Sequence, residues 1–138
     1  MSFTRPVRAI VVDASTMVEV LGGNREWVDR MSEWQDADAM LLAPPHFRSE
    51  MANALLRSVR LDALDVVSRL QQLFEAGVDL VDRGFSGLYD AVELAERHGL
   101  SVYDALYLSL AIDVDGELAT SDRALVRAAE AELVPVVS

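Results

Sequence analysis

The fold is decided by the stretch Ala9-Ile10-Val11-Val12-Asp13-Ala14-Ser15. Its apolar residues form a short continuous run that ends at an acidic residue. Such a run predicts a strand that is buried on both faces, as in parallel sheets covered by helices. Ligands of open α/β sheets bind at the carboxyl ends of the strands. The stretch therefore predicts a parallel sheet and also the edge at which functional side chains should lie.

The rest of the chain alternates between short apolar runs and longer helical patterns, which predicts an α/β fold with a parallel sheet covered on both faces. The predicted strands are Val7–Val12, Ala39–Ala43, Val78–Val81, Glu117–Thr120 and Leu133–Val137. The predicted helices are Ala14–Leu21, Arg25–Gln35, Phe47–Arg60, Ala63–Ala76, Ser86–Arg97, Ser101–Ile112 and Arg123–Glu132. Pro135 cannot donate to a neighbouring strand, so the last strand should lie at a sheet edge.

The composition excludes several classes of function. The 138 residues include no cysteine, which excludes disulfide frameworks, zinc fingers and thiol nucleophiles. All twelve basic residues are arginine. The absence of lysine excludes P-loop enzymes, Schiff-base enzymes and protein kinases, because each of these needs a lysine amine. No apolar run approaches the ~20 residues of a membrane span, and no signal peptide is evident. We therefore expect a cytoplasmic protein.

Four acidic residues should meet at the carboxyl edge of the sheet. Asp13 follows the first strand and Asp122 follows the fourth, while Glu50 and Asp104 lie early in helices. Four converging carboxylates would repel and raise one another's pKa values. A hard divalent cation such as Mg²⁺ relieves that repulsion, binds oxygen ligands and can activate water. We call these four residues the acidic edge.

Each of the four acids also has a purely structural interpretation. Asp13 and Asp122 could be helix N-caps, Ser101 and Asp104 resemble a capping box, and Glu50 could lie on a solvated helix face. Two observations favour function. The helix that contains Asp104 is otherwise almost entirely apolar, so a carboxylate there needs a partner. At α-helical spacing, Glu50 shares a polar face with the two residues three and seven positions later, Asn53 and Arg57.

Four segments carry a resemblance to a known family. They are Ile10–Ser15, Ser49–Arg57, Leu100–Ala105 and Leu118–Leu125, each built around one acid of the acidic edge. Together they resemble the four acidic motifs of PIN-domain ribonucleases. Their order and spacing and the chain length resemble VapC-type toxins of toxin–antitoxin pairs, and the resemblance covers essentially the whole chain.

This resemblance implies that residues 1–138 form one PIN-like nuclease domain, a three-layer α/β/α fold with strand order 3-2-1-4-5. It implies that Asp13, Glu50, Asp104 and Asp122 hold one or two Mg²⁺ or Mn²⁺ ions. Ser15, Asn53 and Thr120 would then be surrounding hydrogen-bonding groups. The implied activity is endonucleolytic cleavage of RNA, often tRNA or rRNA, that leaves a 5′-phosphate and a 3′-hydroxyl. The implied partners are a second copy of the chain and a cognate VapB-type antitoxin.

The net charge of −11 is unusual for a protein that binds RNA, because phosphate contacts normally come from basic residues. The least acidic stretch is Pro44–Phe74, and we expect its Arg57 and Arg60 to face the RNA backbone. His46 lies four residues before Glu50, a spacing that would allow a shared metal, although a structural role is favoured. Two alternatives stay open: a non-catalytic protein-binding module and, less favoured, a metal-dependent phosphatase of small molecules.

Overall fold

The computed structural model describes residues 7–138, and its centre is a sheet of five parallel strands. The strands are β1 (Ala9–Val12), β2 (Met40–Ala43), β3 (Val78–Leu80), β4 (Glu117–Ala119) and β5 (Val136–Val137). Their order in the sheet is β3-β2-β1-β4-β5, and every neighbouring pair is parallel. The predicted α/β fold and the predicted strand order are therefore confirmed.

The central strand β1 fixes the register of the sheet. Ile10, Val11 and Val12 are fully buried, as expected of an apolar strand that is covered on both faces. Val12 pairs with Ala119 of β4, and the backbone N–H of Asp13 continues the ladder by donating to the Ala119 carbonyl at 3.2 Å. The residues that follow β1 and β4 therefore come together at one edge of the sheet.

Within residues 7–138, seven α-helices connect and follow the strands. They are α1 (Ala14–Leu21), α2 (Arg25–Asp36), α3 (Phe47–Asn53), α4 (Ala63–Glu75), α5 (Gly84–His98), α6 (Val102–Asp113) and α7 (Arg123–Ala131). Side-chain caps begin α1, α2, α4, α6 and α7, in each case from an aspartate, an asparagine or a serine. None of the helices formed by residues 7–138 has the length and apolar character needed to cross a membrane.

The prediction of one α-helix over Phe47–Arg60 is wrong in its second half. The α-helix ends at Asn53, and residues Ala54–Ser58 form a π-helical turn. The Val59 N–H donates to the Ala54 carbonyl five residues earlier, which is the π pattern. Arg60 lies beyond this turn with a left-handed φ of 64°. The apolar periodicity of the sequence cannot distinguish this wider turn from an α-helical one.

The predicted last strand, Leu133–Val137, is also too long. Leu133 has a φ of 60°, which is incompatible with a strand, and pairing with β4 begins only at Val136. The edge position that Pro135 predicts is confirmed, because β5 is the terminal strand of the sheet. The strand is therefore reduced to two residues.

Helices α5 and α6 form a hairpin that presents the start of α6 to the carboxyl edge. α5 is capped at its carboxyl end by Gly99, whose φ of 65° is the left-handed conformation that glycine adopts without strain. Arg83 joins the two helices by donating to the Ser109 hydroxyl at 2.6 Å and by pairing with Asp113 at 3.1 Å. Gly87 makes room for this arginine, since a Cβ added there would lie 2.5 Å from the Arg83 Cβ.

Candidate active site at the carboxyl edge of the sheet

Asp13 is the most buried member of the acidic edge, with only 5% of its surface exposed. Its Oδ1 accepts hydrogen bonds from the Ser15 hydroxyl at 2.6 Å and from the Thr16 N–H at 3.0 Å. The Thr120 hydroxyl donates to its Oδ2. Asp13 is therefore the N-cap of α1, as one interpretation of the sequence proposed, and it also joins the ends of β1 and β4.

Ser15 and Thr120 connect the two strand ends through their hydroxyls. The Ser15 Oγ accepts from the Ser121 N–H at 3.2 Å, while the Thr120 Oγ1 accepts from the Asp122 N–H at 3.0 Å. Each hydroxyl accepts from the backbone after β4 and donates its own proton to Asp13. The orientation of the Asp13 carboxylate is therefore determined by both strands.

Burial is the main influence on the Asp13 carboxyl group. It raises the pKa of Asp13, because removal from water disfavours the charged form. The hydrogen bonds from Ser15, Thr120 and the backbone of Thr16 act in the opposite direction by stabilising the carboxylate. Asp13 is thus a buried acid whose charge depends on a small set of protein donors.

Asp104 lies within electrostatic reach of Asp122 at this edge. Asp104 is partly buried in the first turn of α6, where its N–H donates to the Ser101 hydroxyl at 3.1 Å. Burial raises the pKa of Asp104, and the negative charges of Asp122 and Glu50 raise it further. Asp122 is exposed and caps α7 by accepting from the Leu125 N–H at 3.0 Å. The caps predicted at Ser101 and Asp122 are therefore both present.

Glu50 is held by a tyrosine that the sequence analysis missed. The hydroxyl of Tyr107, a fully buried residue of α6, donates to Glu50 Oε1 at 3.1 Å. Burial raises the pKa of Tyr107, and the charges of Glu50, Asp13 and Asp104 add to that effect. Tyr107 therefore stays protonated and remains a donor. The available signal was that a buried tyrosine needs a partner for its hydroxyl, and Tyr107 lies one helical turn after Asp104.

His46 completes this cluster at the start of α3. Its Nε2 is 2.8 Å from Glu50 Oε1 but lacks the alignment of a hydrogen bond. Its ring packs edge-on against Tyr107, with 5.0 Å between the ring centroids, and lies 5.7 Å from the ring of Tyr103. The structural role favoured for His46 agrees with these contacts, and its proximity to Glu50 agrees with the four-residue spacing.

Comparison with known proteins identifies the family. Residues 10–131 match the PIN domain family. The chain belongs to this family. It is 36% identical over 130 residues to "Ribonuclease VapC3" of Mycobacterium tuberculosis, covering 91% of this chain and 90% of that protein. It is 33% identical over 133 residues to "Ribonuclease VapC3" of Pyrobaculum aerophilum, covering 91% and 98%. The resemblance drawn from the four acidic motifs is therefore confirmed.

A solved structure shares the fold of this PIN domain. VapBC2 from Rickettsia felis, bound to a DNA fragment from its promoter, superposes with a TM-score of 0.72 at 14% sequence identity. The match covers 94% of this chain and 97% of that one. At this level of identity the likeness concerns the fold alone, and it agrees with the sheet order described above.

Three further residues singled out in the sequence lie on the surface of the PIN domain. Asn53, Arg57 and Arg60 are all exposed. The placement of Arg57 on the same face as Glu50 assumed α-helical spacing, which the π-helical turn interrupts. One extra residue per turn shifts the following side chains by up to about 100° around the axis. The spacing argument that joined Arg57 to Glu50 therefore does not hold.

The donors at the acidic edge suit a hard divalent cation in kind. They are carboxylate oxygens with hydroxyl groups behind them, which is the oxygen chemistry that Mg²⁺ and Mn²⁺ prefer. Burial is the main cause of the raised pKa of Asp104, and the negative charges of Asp122 and Glu50 add to it, as expected where carboxylates converge. Between residues 7 and 138, no three acidic or histidine side chains are grouped tightly enough to hold one ion as they stand. A cation held by several of these carboxylates would require them to come closer together than they lie here.

Proposed function

We propose that this PIN domain is a Mg²⁺- or Mn²⁺-dependent endoribonuclease and the toxin of a toxin–antitoxin pair. The observation that carries the proposal is the hydrogen-bonded arrangement of acids at one sheet edge: the Thr120 hydroxyl links the Asp13 carboxylate to the Asp122 N–H, and Tyr107, one turn after Asp104, donates to Glu50. The ribonuclease names of relatives at 33–36% identity support it.

In this proposal Asp13, Glu50, Asp104 and Asp122 hold the cation. The chemistry that such an ion would supply when bound is activation of a water molecule and stabilisation of charge on the leaving oxygen. The chain contributes oriented ligands. Ser15 and Thr120 fix Asp13 by donating to both of its oxygens, and Tyr107 fixes one oxygen of Glu50.

Helix capping and metal binding are compatible at Asp122. A carboxylate has about four lone-pair sites on two oxygens. The cap uses Oδ1, which accepts from Leu125, so Oδ2 can serve the cation. Asp13 accepts two hydrogen bonds at Oδ1 and one at Oδ2, so its carboxylate also keeps a lone-pair site for the cation.

The proposed substrate is RNA, with tRNA or rRNA as the expected targets, and hydrolysis would leave a 5′-phosphate and a 3′-hydroxyl. Residues 1–138 would act as one nuclease domain in the cytoplasm. Arg57 and Arg60 would contact the RNA backbone, and Asn53 would support the carboxylates by hydrogen bonding. A VapB-type antitoxin would silence the toxin, and a second copy of the chain would form a homodimer. The antitoxin proposal is supported by the relation to VapC proteins and by the likeness in fold to a VapBC assembly.

A second candidate is a non-catalytic PIN-like module that binds only protein. The specific observation in its favour is that Asp13 and Asp122 are real N-caps, which explains both residues without a cation. The two candidates differ in their response to metal, because a capping aspartate does not need Mg²⁺.

The test is cleavage of total cellular RNA by the purified chain, freed of any bound partner, with Mg²⁺ or Mn²⁺ and with EDTA. Asp104→Asn removes one charge of the acidic edge. Asp36→Asn is the matched control, because Asp36 is an exposed acid that ends α2 before the amino end of β2. We expect discrete metal-dependent fragments from the native chain and from Asp36→Asn, and none from Asp104→Asn. Fragments that persist in EDTA or in Asp104→Asn would contradict the proposal.

A thermal-shift measurement separates the two candidates if no fragments form. A Mg²⁺-induced stabilisation that is lost in Asp104→Asn and kept in Asp36→Asn would support the metal site. The absence of any Mg²⁺ effect would favour the protein-binding module.

A further inference from the structure

Tyr103 places an exposed aromatic ring beside the acidic edge. It lies in the first turn of α6, directly before Asp104, and 66% of its surface is exposed. The core does not account for this ring, because most of the tyrosine faces solvent. Its neighbour is the imidazole of His46, at 5.7 Å between centroids and an interplanar angle of 55°.

His46 connects the Tyr103 ring to the acids. The His46 ring contacts Tyr103 on one side and packs edge-on against the buried Tyr107 on the other. Its Nε2 is 2.8 Å from Glu50. Because the His46 side chain is largely buried, with 18% exposed, it supports the Tyr103 ring from the protein side. In the structure of residues 7–138, most of Tyr103 is exposed, and it directly precedes Asp104.

Because the protein is strongly acidic, an uncharged contact would contribute to its affinity for RNA. The chain carries a net charge of −11, and its acids converge at this edge, so attraction of the phosphate backbone is weak here. Stacking of an unpaired base on an aromatic ring needs no basic residue and stabilises binding by ~1–3 kcal/mol per base. Sequence-specific recognition of RNA typically uses such stacked, unpaired bases.

We propose that Tyr103 is a stacking platform for an unpaired RNA base next to the phosphodiester bond held at the acidic edge, with His46 as its support. This inference rests on the proposed ribonuclease function. It assigns a substrate-binding role to a residue outside the four acids and accounts for part of the RNA affinity of an acidic protein.

The test measures the affinity for a mixed-sequence, single-stranded RNA that contains the fluorescent adenine analogue 2-aminopurine. All variants carry Asp122→Asn, which stops cleavage, and asparagine caps a helix as well as aspartate does. Fluorescence anisotropy gives Kd, and quenching of 2-aminopurine reports stacking. Tyr89→Ala is the matched control, because Tyr89 is 64% exposed and stacks on Phe85 of α5 instead of on His46.

We expect Tyr103→Ala to raise Kd by about 5- to 150-fold, the equivalent of ~1–3 kcal/mol, and to reduce the quenching. Tyr103→Phe keeps the ring and should bind like the parent, whereas Tyr103→Leu should resemble Tyr103→Ala. Since the contact is neutral, the ratio of Kd values should not change with salt concentration. Tyr89→Ala should leave Kd unchanged.

Three outcomes would overturn the platform: an unchanged Kd in Tyr103→Ala, an equal loss in Tyr89→Ala, or full affinity in Tyr103→Leu. Loss of a protein partner in Tyr103→Ala with unaltered RNA affinity would assign the ring to that partner and overturn the platform as well.

Cleavage assays without Asp122→Asn separate this inference from the proposed function. If the native chain cleaves RNA and Tyr103→Ala does so with the same KM, the platform alone is wrong. If the native chain neither cleaves nor binds RNA, both proposals are wrong.

Discussion

Thr120→Val should destabilise the protein although it preserves the shape of the side chain. Thr120 is fully buried, and its hydroxyl makes two hydrogen bonds, one to the Asp13 carboxylate and one from the Asp122 N–H. A hydrogen bond to a charged group contributes about 1.5–3 kcal/mol, and a neutral one contributes about 1 kcal/mol. We therefore expect the free energy of unfolding to fall by about 2–4 kcal/mol, a large part of the total for a domain of this size.

Urea denaturation followed by circular dichroism at neutral pH measures this change, and the melting temperature should fall by roughly 10 °C. Thr120→Ser is the matched control, because it keeps the hydroxyl and loses only a buried methyl group, at about 1 kcal/mol. If Thr120→Val is as stable as Thr120→Ser, the hydroxyl does not connect the two strand ends, and the account of how Asp13 is oriented is wrong.

Three further predictions concern other parts of the molecule. Gly87→Ala should lower the free energy of unfolding by up to about 2 kcal/mol in urea denaturation, because the clash with Arg83 costs about 1–3 kcal/mol and the gain in helix propensity offsets only ~1 kcal/mol. A hydrogen bond with His98 holds the pKa of Glu132 below its usual range, so its contribution to stability is present above the unfolded pKa of about 4.3 and is lost as pH falls through the lower folded value. Denaturation of Glu132→Gln between about pH 3 and pH 7 should therefore show a shallower acid limb than the native chain. If the exposed Arg57 contacts RNA, Arg57→Ala should weaken cleavage and reduce the salt slope by about one, and an unchanged rate at every ionic strength would count against this contact.

The fold was predictable because its apolar runs are short, continuous and separated by clear helix starts. The caps that begin α1, α6 and α7 were all visible as aspartate or serine in the sequence. The π-helical turn at Ala54–Ser58 was not visible, because the apolar pattern of the sequence does not distinguish it from an α-helical turn. Where the last strand begins depends on the left-handed conformation of Leu133, which is not a residue that sequence rules associate with that conformation.

The acids themselves could be predicted, but the way they are held could not. Asp13 follows a strand so directly that its place at the sheet edge is a matter of topology. The hydrogen bond from Tyr107 to Glu50 spans 57 residues and depends on the tertiary arrangement that brings the start of α3 close to one turn of α6. No spacing rule relates these two residues. The contact between His46 and Tyr103 depends on the same packing and was missed for the same reason.

The hydrogen bond between Asp13 and Thr120 connects residues that are 107 positions apart, and this separation has a consequence for synthesis of the chain. β1 is made first, but its partner β4 begins only at Glu117, so the centre of the sheet closes after most of the chain has been translated. Contacts of such long range form late and slowly in folding. The acidic edge is therefore incomplete on the nascent chain. If the protein is a ribonuclease toxin, a ribosome that is making it carries no active nuclease until Asp122 has been added and the sheet has closed.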